Sequence, residues 1–323
     1  MKQSIAVIIV NWNSWDDLDK CIRAIKSQSI SFRRVVVIDN SSKLKMPLSM
    51  FHWKEDKIIE FVWLENNVGF AKANNIGLSL VSDYDHIALI NPDATLDSCW
   101  HEEMLKIIER YHNTASFASV LMMEYERAYW DGLGDIYHIS GLAWRDGHGY
   151  HANFDELVER EIFSPCAAAA VYRRKSLVEV GGFDDDYFCY LEDVDLGFRL
   201  RLKGYDSMLV PKAIAYHVGS ASTGGKHSDF AVYHGHRNLV WTFVKDMPGV
   251  MFWLLLPMHI MMNLAALVRF SLSGQASVIF KAKWDAIKGL PEIIRKRHLV
   301  QSSRKCSIGK IWRMLDKRLF IRK

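Results

Sequence analysis

Two stretches of the chain place carboxylates where local structure alone does not require them. The first, "ALINPDATLDS" at residues 88–98, runs from an apolar segment into Asn91-Pro92-Asp93. Ile87 to Ile90 reads as a strand buried on both faces. Pro92 cannot donate to a sheet ladder, so the strand stops there with an acid at its mouth. Asn, Pro and Asp also favour turns for local reasons, and by itself the segment supports only a turn. The second stretch, "GGFDDDYFCYLEDVDLGFRLRLKGY", is more specific. Gly181-Gly182 closes a helix through Val180, and aromatic residues crowd positions 183–190. Glu192, Asp193 and Asp195 then open a helix whose later turns carry Arg199, Arg201 and Lys203. Helix-dipole complementarity accounts for acids first and bases last, at ~0.3–1 kcal/mol each. It does not account for acids set among aromatic rings, where desolvation raises a carboxylate's pKa and suits it to proton transfer. His217 ends another apolar run, "VPKAIAYHVGSAS", and is a core histidine unless it meets a partner such as Asp93.

The elements that must position these groups alternate. Residues 5–10, 34–40, 58–65 and 86–91 read as strands, and residues 14–28, 70–81 and 97–112 as helices. The first helix sets Leu18, Cys21, Ile22 and Ile25 on one face, with acids in its first turn. Such alternation predicts a mostly parallel, Rossmann-like sheet with flanking helices, whose ligands sit outside the carboxyl ends of the strands. Those ends carry Asn11 and Asn13; Asp39 and Asn40; Asn66, Asn67 and Gly69; and Asn91 and Asp93. Turn chemistry explains one or two of them, whereas the full row has the character of a nucleotide floor. Neither G-x-G-x-x-G nor G-x-x-x-x-G-K-[ST] is present. Across residues 114–160 the pattern fades, and this Gly-, His- and aromatic-rich stretch reads as loops with short strands.

With 323 residues, 50% of them hydrophobic and 24% charged, the chain suffices for one large domain or a domain plus an extension. The five scattered cysteines (Cys21, Cys99, Cys166, Cys189, Cys306) have no metal-like spacing and suggest a reducing compartment. The six-residue apolar run at Ile5 to Val10 is shorter than a signal-peptide core of ~7–15 residues, so no export signal is expected. The net charge of +4 hides an asymmetry: from Arg269 onward 15 Lys+Arg face 3 Asp+Glu, and the preceding residues hold 26 against 34. Just before the basic part lies "VMFWLLLPMHIMMNLAALV", 19 residues without formal charge. A spanning helix needs ~20 mostly apolar residues, and Pro257, His259 and Asn263 weaken that reading. A buried core helix is the plainer alternative. The interleaved basic and aromatic segments that follow suit an anionic cytoplasmic leaflet better than nucleic acid.

The motifs "VIIVNWN", "VVVIDNSS", "ENNVGFAKANNIGL", "LINPDA", "GGFDDDYFCYLEDVDLGFRLRLKG" and "AYHVGSAS" together resemble the family 2 inverting glycosyltransferases. Within that family they are most similar to the bacterial rhamnosyltransferase-like branch. The resemblance covers roughly residues 4–225 and implies a GT-A fold with a nucleotide-diphospho-sugar donor. It implies that residues 1–228 form the catalytic domain and that residues 229–323 form a helical, membrane-associating extension. By the same resemblance Asn11, Asn13, Asp39, Asn67 and Asn91 belong to the nucleotide-sugar site, and Gly69 and Asn75 to the adjoining donor motif. Asp93 matches the last acid of the metal-binding D-x-D, with His217 completing the site and Mg2+ or Mn2+ as the cofactor. Asn91 replaces the first acid of that motif, which leaves one fewer carboxylate for the ion. Asp193 matches the general base, with Glu192 and Asp195 as supporting acids. The implied acceptor is a glycan hydroxyl, polyprenyl-diphosphate-linked, at the cytoplasmic face of the plasma membrane. A sugar-phosphate nucleotidyltransferase would show a basic Gly-rich loop where "VNWNSWDD" is acidic. A non-catalytic membrane-attached scaffold that binds a nucleotide sugar is the remaining alternative.

Overall fold

The computed structural model describes residues 4–219 and 228–318. The part of "AYHVGSAS" beyond Gly219 lies outside the described residues. Four strands come from the alternating first half: β1 (Ile5–Asn11), β2 (Val35–Asp39), β3 (Ile59–Trp63) and β4 (His86–Ile90). They are mutually parallel in the order β3-β2-β1-β4, with Asn11 opposite Asp39 and Asp39 opposite Trp63. The order reverses at β1, and between β1 and β4 an open α/β sheet leaves its ligand crevice.

β1, β2 and β4 are buried at every position, because helices cover both faces of the sheet. Val7, Ile9, Val35 and Val37 face one side, against Leu18 and Ile22 of α1 (Trp15–Lys26) and Met104 and Ile108 of α3 (Trp100–Arg110). Ala6, Ile8, Val36 and Ile38 face the other side, against Ala71 and Ala73 of α2 (Phe70–Leu80). The two-residue strand period thus divides one apolar run between two cores.

Beyond β4 the sheet continues antiparallel through β11 (Ala169–Arg173) to β6 (Thr114–Met123), then to β12 (Asp206–His217) and the edge strand β10 (Arg160–Glu161). Short β5 (Ala94–Leu96) pairs with β12, β7 (Trp130–Gly132) pairs with β6, and β8 (Asp135–Tyr137) forms a hairpin with β9 (Ala143–Arg145). The ten-residue β6 corrects the expectation of loops and short strands after residue 114. It escapes a hydrophobicity pattern because its buried side chains include serines paired internally. Ser116 Oγ lies 2.6 Å from Ser207 Oγ, and Ser119 Oγ accepts from Trp100 Nε1 at 2.7 Å and donates to the Ala169 carbonyl at 2.6 Å.

After α4 (Arg174–Glu179), α5 (Glu192–Leu202) runs through the centre of the molecule with only Asp193 less than buried. Its basic residues do more than complement a dipole. Arg199 is held by Asp195 and the carbonyls of Val180 and Gly182, while buried Arg201 meets Glu161 and the carbonyls of Ile162 and Phe163. The last five helices are α6 (Asp229–Asp246), α7 (Gly249–Leu272), α8 (Ala276–Lys288), α9 (Leu290–Ser302) and α10 (Ile308–Met314). Phe243, Met251, Leu255 and Ile311 from these helices share a core with Tyr137, Phe163, Val194 and Phe198. The boundary expected at 228 therefore falls between elements that share a core.

Candidate active site

At the carboxyl ends of the parallel strands lies a cleft of about 440 Å³. Asn40, Asn67, Gly69, Asn91 and Asp93 from the strand ends line it together with Asp135, Arg145, Glu192, Asp193 and His217. The Asn and Asp side chains at the strand ends hold one another in place. Asn11 Nδ2 donates to Asp39 Oδ1 at 2.9 Å, and Ser42 Oγ donates to the same oxygen at 2.6 Å. Asn40 Nδ2 donates to Asn67 Oδ1 at 2.9 Å, and that oxygen also accepts from the Gly69 amide at 2.9 Å. Gly69 has φ +86°, and a Cβ there would come within 2.6 Å of Phe188, so only glycine lets α2 begin against the cleft.

Several expected donor residues stand behind this lining. Asn11 and Asp39 are buried at the base of the strand ends and brace the loop through Ser42. Asn13, at φ +56°, accepts from the amides of Lys43 and Leu44 at 2.7 and 3.0 Å. Asn75 donates to the Phe183 carbonyl at 2.8 Å and Asp185 Oδ1 at 2.7 Å, and accepts from the Phe183 amide at 2.9 Å. It pins the segment before α5 and is not among the residues lining the cleft.

The antiparallel pairing of β5 with β12 sets Ala94 opposite His217, which brings Asp93 beside the imidazole. His217 Nε2 lies 3.3 Å from Asp93 Oδ1, and Nδ1 lies 2.8 Å from Asp131 Oδ2. Burial disfavours a charged imidazole, but Asp131 and Asp93 outweigh it and hold the His217 pKa above the ordinary histidine value. The balance runs the same way for Asp93: burial raises its pKa, and the hydrogen bond and charge of His217 bring it below the usual carboxylate value. Asp131 also pairs with Arg145, whose Nη1 is 3.4 Å from His217 Nδ1. Asp131, Asp135 and Arg145 were invisible to sequence reasoning, because they lie in the stretch where periodicity fades.

A divalent cation fits this corner. The Asn91 Oδ1 atom is buried without a hydrogen-bond partner, and with the Asp93 carboxylate and a neutral His217 Nε2, which lies 3.3 Å from Asp93 Oδ1, it would form an O,O,N donor set. Among the described residues no group of three or more His, Cys, Asp or Glu could hold a metal by itself. An ion here would complete its shell with diphosphate oxygens and water, as Mg2+ readily does.

The three acids opening α5 part company. Asp193 Oδ2 accepts from the Ala167 amide at 3.2 Å and Oδ1 from the Val194 amide at 2.8 Å, while the carboxyl faces the cleft. Burial pushes it above the ordinary carboxylate range, against the pull of the Ala167 N–H and Arg145. Glu192 also lines the cleft, and burial followed by the Asp193 charge pushes it well up. Asp135 is raised for the same two reasons in the same order. Asp195 points into the core instead. It bonds Arg199 through Nε and Nη2 at 2.8 and 2.6 Å and lies 2.5 Å from Lys245, so it is a structural ion pair rather than a cleft acid.

The segment leading into Asp193 is strained, with non-glycine residues Phe188, Tyr190 and Leu191 at φ +64°, +68° and +65°. Helix α6 holds it. The fully buried Asn238 directs Nδ2 at the carbonyls of Tyr187, Cys189 and Tyr190, at 2.9, 2.9 and 2.7 Å. Arg237 donates to the Asp186 and Tyr187 carbonyls, each at 2.9 Å.

A sheet with its crevice at a strand-order reversal, and a half-buried carboxylate lining the same cleft, is the GT-A arrangement. The family model for glycosyl transferase family 2 matches residues 6–181, more than half of the chain, and the chain belongs to that family. An N-acetylglucosaminyl-diphospho-decaprenol L-rhamnosyltransferase of Mycobacterium tuberculosis is 42% identical over 88 residues, which is 27% of this chain and 28% of that protein. The match thus spans little more than a quarter of that relative. Rhamnosyltransferase WbbL of Escherichia coli is 26% identical over 232 residues, 66% of this chain and 83% of that protein. The fold is shared with GalNAc-T7, solved with UDP, GalNAc and Mn2+, at a TM-score of 0.61 and 13% identity over 75% of this chain and 48% of that one.

Proposed function

We propose that this glycosyltransferase moves rhamnose or a similar hexose from a nucleotide-diphospho-sugar to a hydroxyl of a glycan acceptor, with inversion, in cell-surface polysaccharide synthesis. The observation that carries the reading is Asp193, a half-buried carboxylate with a raised pKa that lines the same cleft as the strand-end residues. The rhamnosyltransferase relatives support the sugar, and the decaprenol-linked substrate in one relative's name supports a polyprenyl-diphosphate acceptor. The basic C-terminal region supports a place on the cytoplasmic face of the plasma membrane, peripheral or partly inserted.

In this reading the nucleoside rests on the Asn40–Asn67 floor, braced from behind by Asn11 and Asp39, and the diphosphate lies toward Asn91 and Asp93. Mg2+ or Mn2+ held by Asp93, His217 and the Asn91 amide oxygen would supply positive charge for the departing diphosphate. Asp193 accepts the proton of the acceptor hydroxyl as that oxygen attacks the anomeric carbon. The bond from that carbon to the diphosphate oxygen breaks on the opposite face, so one displacement inverts the configuration. A base with a raised pKa is better matched to a hydroxyl proton than an ordinary carboxylate.

Asp193→Asn keeps the shape and removes the proton acceptor. Turnover is expected to fall by at least ~100-fold while donor affinity, measured by calorimetry, barely changes. Retention of most of the turnover by Asp193→Asn, with loss in Glu192→Gln, would move the base to the neighbouring acid. Wild-type protein that binds the donor but neither transfers nor hydrolyses it would instead be the non-catalytic scaffold.

A further inference from the structure

Helix α7 is apolar on its exposed side as well as on its buried one. Met251, Leu255, His259 and Ala266, spaced on one stripe, are buried. His259 Nδ1 bonds the Ser140 carbonyl at 2.8 Å, and its ring stacks on Phe243 at 3.9 Å between centroids. On the opposite side every exposed residue except Arg269 is apolar. Trp253, Leu254, Met261 and Leu272 are 69%, 73%, 70% and 85% exposed, far beyond isolated surface hydrophobics. The neighbouring α8 exposes Phe280, Trp284 and Ile287 beside Lys281 and Lys288.

From this geometry we infer that α7 lies in the plane of an anionic bilayer surface, its Trp253–Leu254–Met261 face among the acyl chains and the α8 lysines at the headgroups. Length does not decide the matter, since 24 residues would cross a bilayer. The buried stripe does. It fixes α7 along the body, so a spanning α7 would drag Phe243, Ser140 and the neighbouring buried ion pairs of Lys245 with Asp184 and Asp195 toward hydrocarbon. Tryptophan and lysine around an apolar face suit the membrane interface. The +12 balance of residues 269–323 favours anionic lipid and opposes a second copy of the same surface. The loop carrying Ser140 leads through β9 to Trp144 and Arg145 on the cleft wall, so the lipid-facing helix and the cleft belong to one body.

The inference deepens the proposed membrane-side function but is tested separately from it. Full-length protein is floated with phosphatidylcholine vesicles and with vesicles containing phosphatidylglycerol, and membranes are washed with alkaline carbonate. Wild type is expected to float with the anionic vesicles, to float less with neutral ones and to be released by carbonate. Trp253→Glu with Met261→Glu, both at exposed sites, is expected to cut partitioning by at least ~10-fold, the loss of two buried apolar side chains. Resistance to carbonate would overturn the in-plane placement in favour of a spanning helix. Flotation of the double variant like wild type, or a wild-type dimer that does not float, would overturn the lipid assignment. Turnover with a soluble acceptor reports the transferase reading independently, and the double variant is expected to retain it.

Discussion

At the scale of single residues, the site concentrates carboxyls that the fold would be more stable without. Asp135 is buried at the cleft lining, and burial followed by the Asp193 charge raises its pKa well above the ordinary value. For a carboxyl raised in the folded state, stability is intact below the unfolded pKa of ~3.9 and is lost as pH rises through the folded value. Asp135→Asn should therefore raise the melting temperature at pH 8 and leave it nearly unchanged near pH 4. Scanning calorimetry at the two pH values checks this, and equal shifts at both would mean that packing rather than charge is responsible. Asp195 shows the opposite economy of charge: Arg199 and Lys245 outweigh its burial and lower its pKa, so it belongs to the scaffold. Asp193 and Asp195, two positions apart in the expected cluster, thus take unlike roles because one meets a cleft and the other meets cations.

At the scale of elements, α6 decides how α5 presents Asp193. Three bulky residues with positive φ do not hold that geometry unaided, and Asn238 supplies donors to the carbonyls of the segment. Asn238→Ala leaves those buried carbonyls short of a donor, at ~1–3 kcal/mol. Turnover is expected to fall ~10-fold or more with donor affinity little altered, because donor contacts come from the strand ends while Asn238 governs the base. The separation of kcat from donor Kd checks this, with near-ultraviolet circular dichroism confirming native packing. A variant that loses donor affinity and turnover together would make Asn238 a general packing residue.

At the scale of the whole molecule, residues 229–318 are a structural support of the site as well as the extension proposed to meet the membrane. Lys245 lies 2.5 Å from both Asp184 and Asp195, and Lys296 of α9 reaches Asp184 and Asp186. Tyr187 packs beside Trp241 and bonds Thr242 at 3.0 Å. A chain ending at 228 loses these partners and exposes Val194 and Phe198 of α5. Such a truncation is expected to be recovered mainly in the insoluble fraction, or to melt well below the full chain. A soluble truncation that melts like the full chain would show that α6 onward is dispensable for folding.

Much of this protein was legible in one dimension, for a local reason. Period-two and helical patterns report which faces are buried, and they located β1 to β4, α1 to α3 and the start of α5. The turn residues at the strand ends follow from the same alternation, and their order with "LEDVDL" carried the family resemblance. Other features came only with tertiary structure. β6 was hidden because its buried serines are satisfied by Ser207 and Ala169, neither of which is near in sequence. Asp131 reaches His217 across 86 residues of chain, through strand pairings that no local pattern encodes. Whether Asn75, Asn13 or Asp195 faced a ligand depended on side-chain direction at an element's end, which the surrounding packing sets. The apolar stretch at 250–268 declared its composition in the sequence, but only the packing of His259 against Ser140 and Phe243 decided which of its faces remained open.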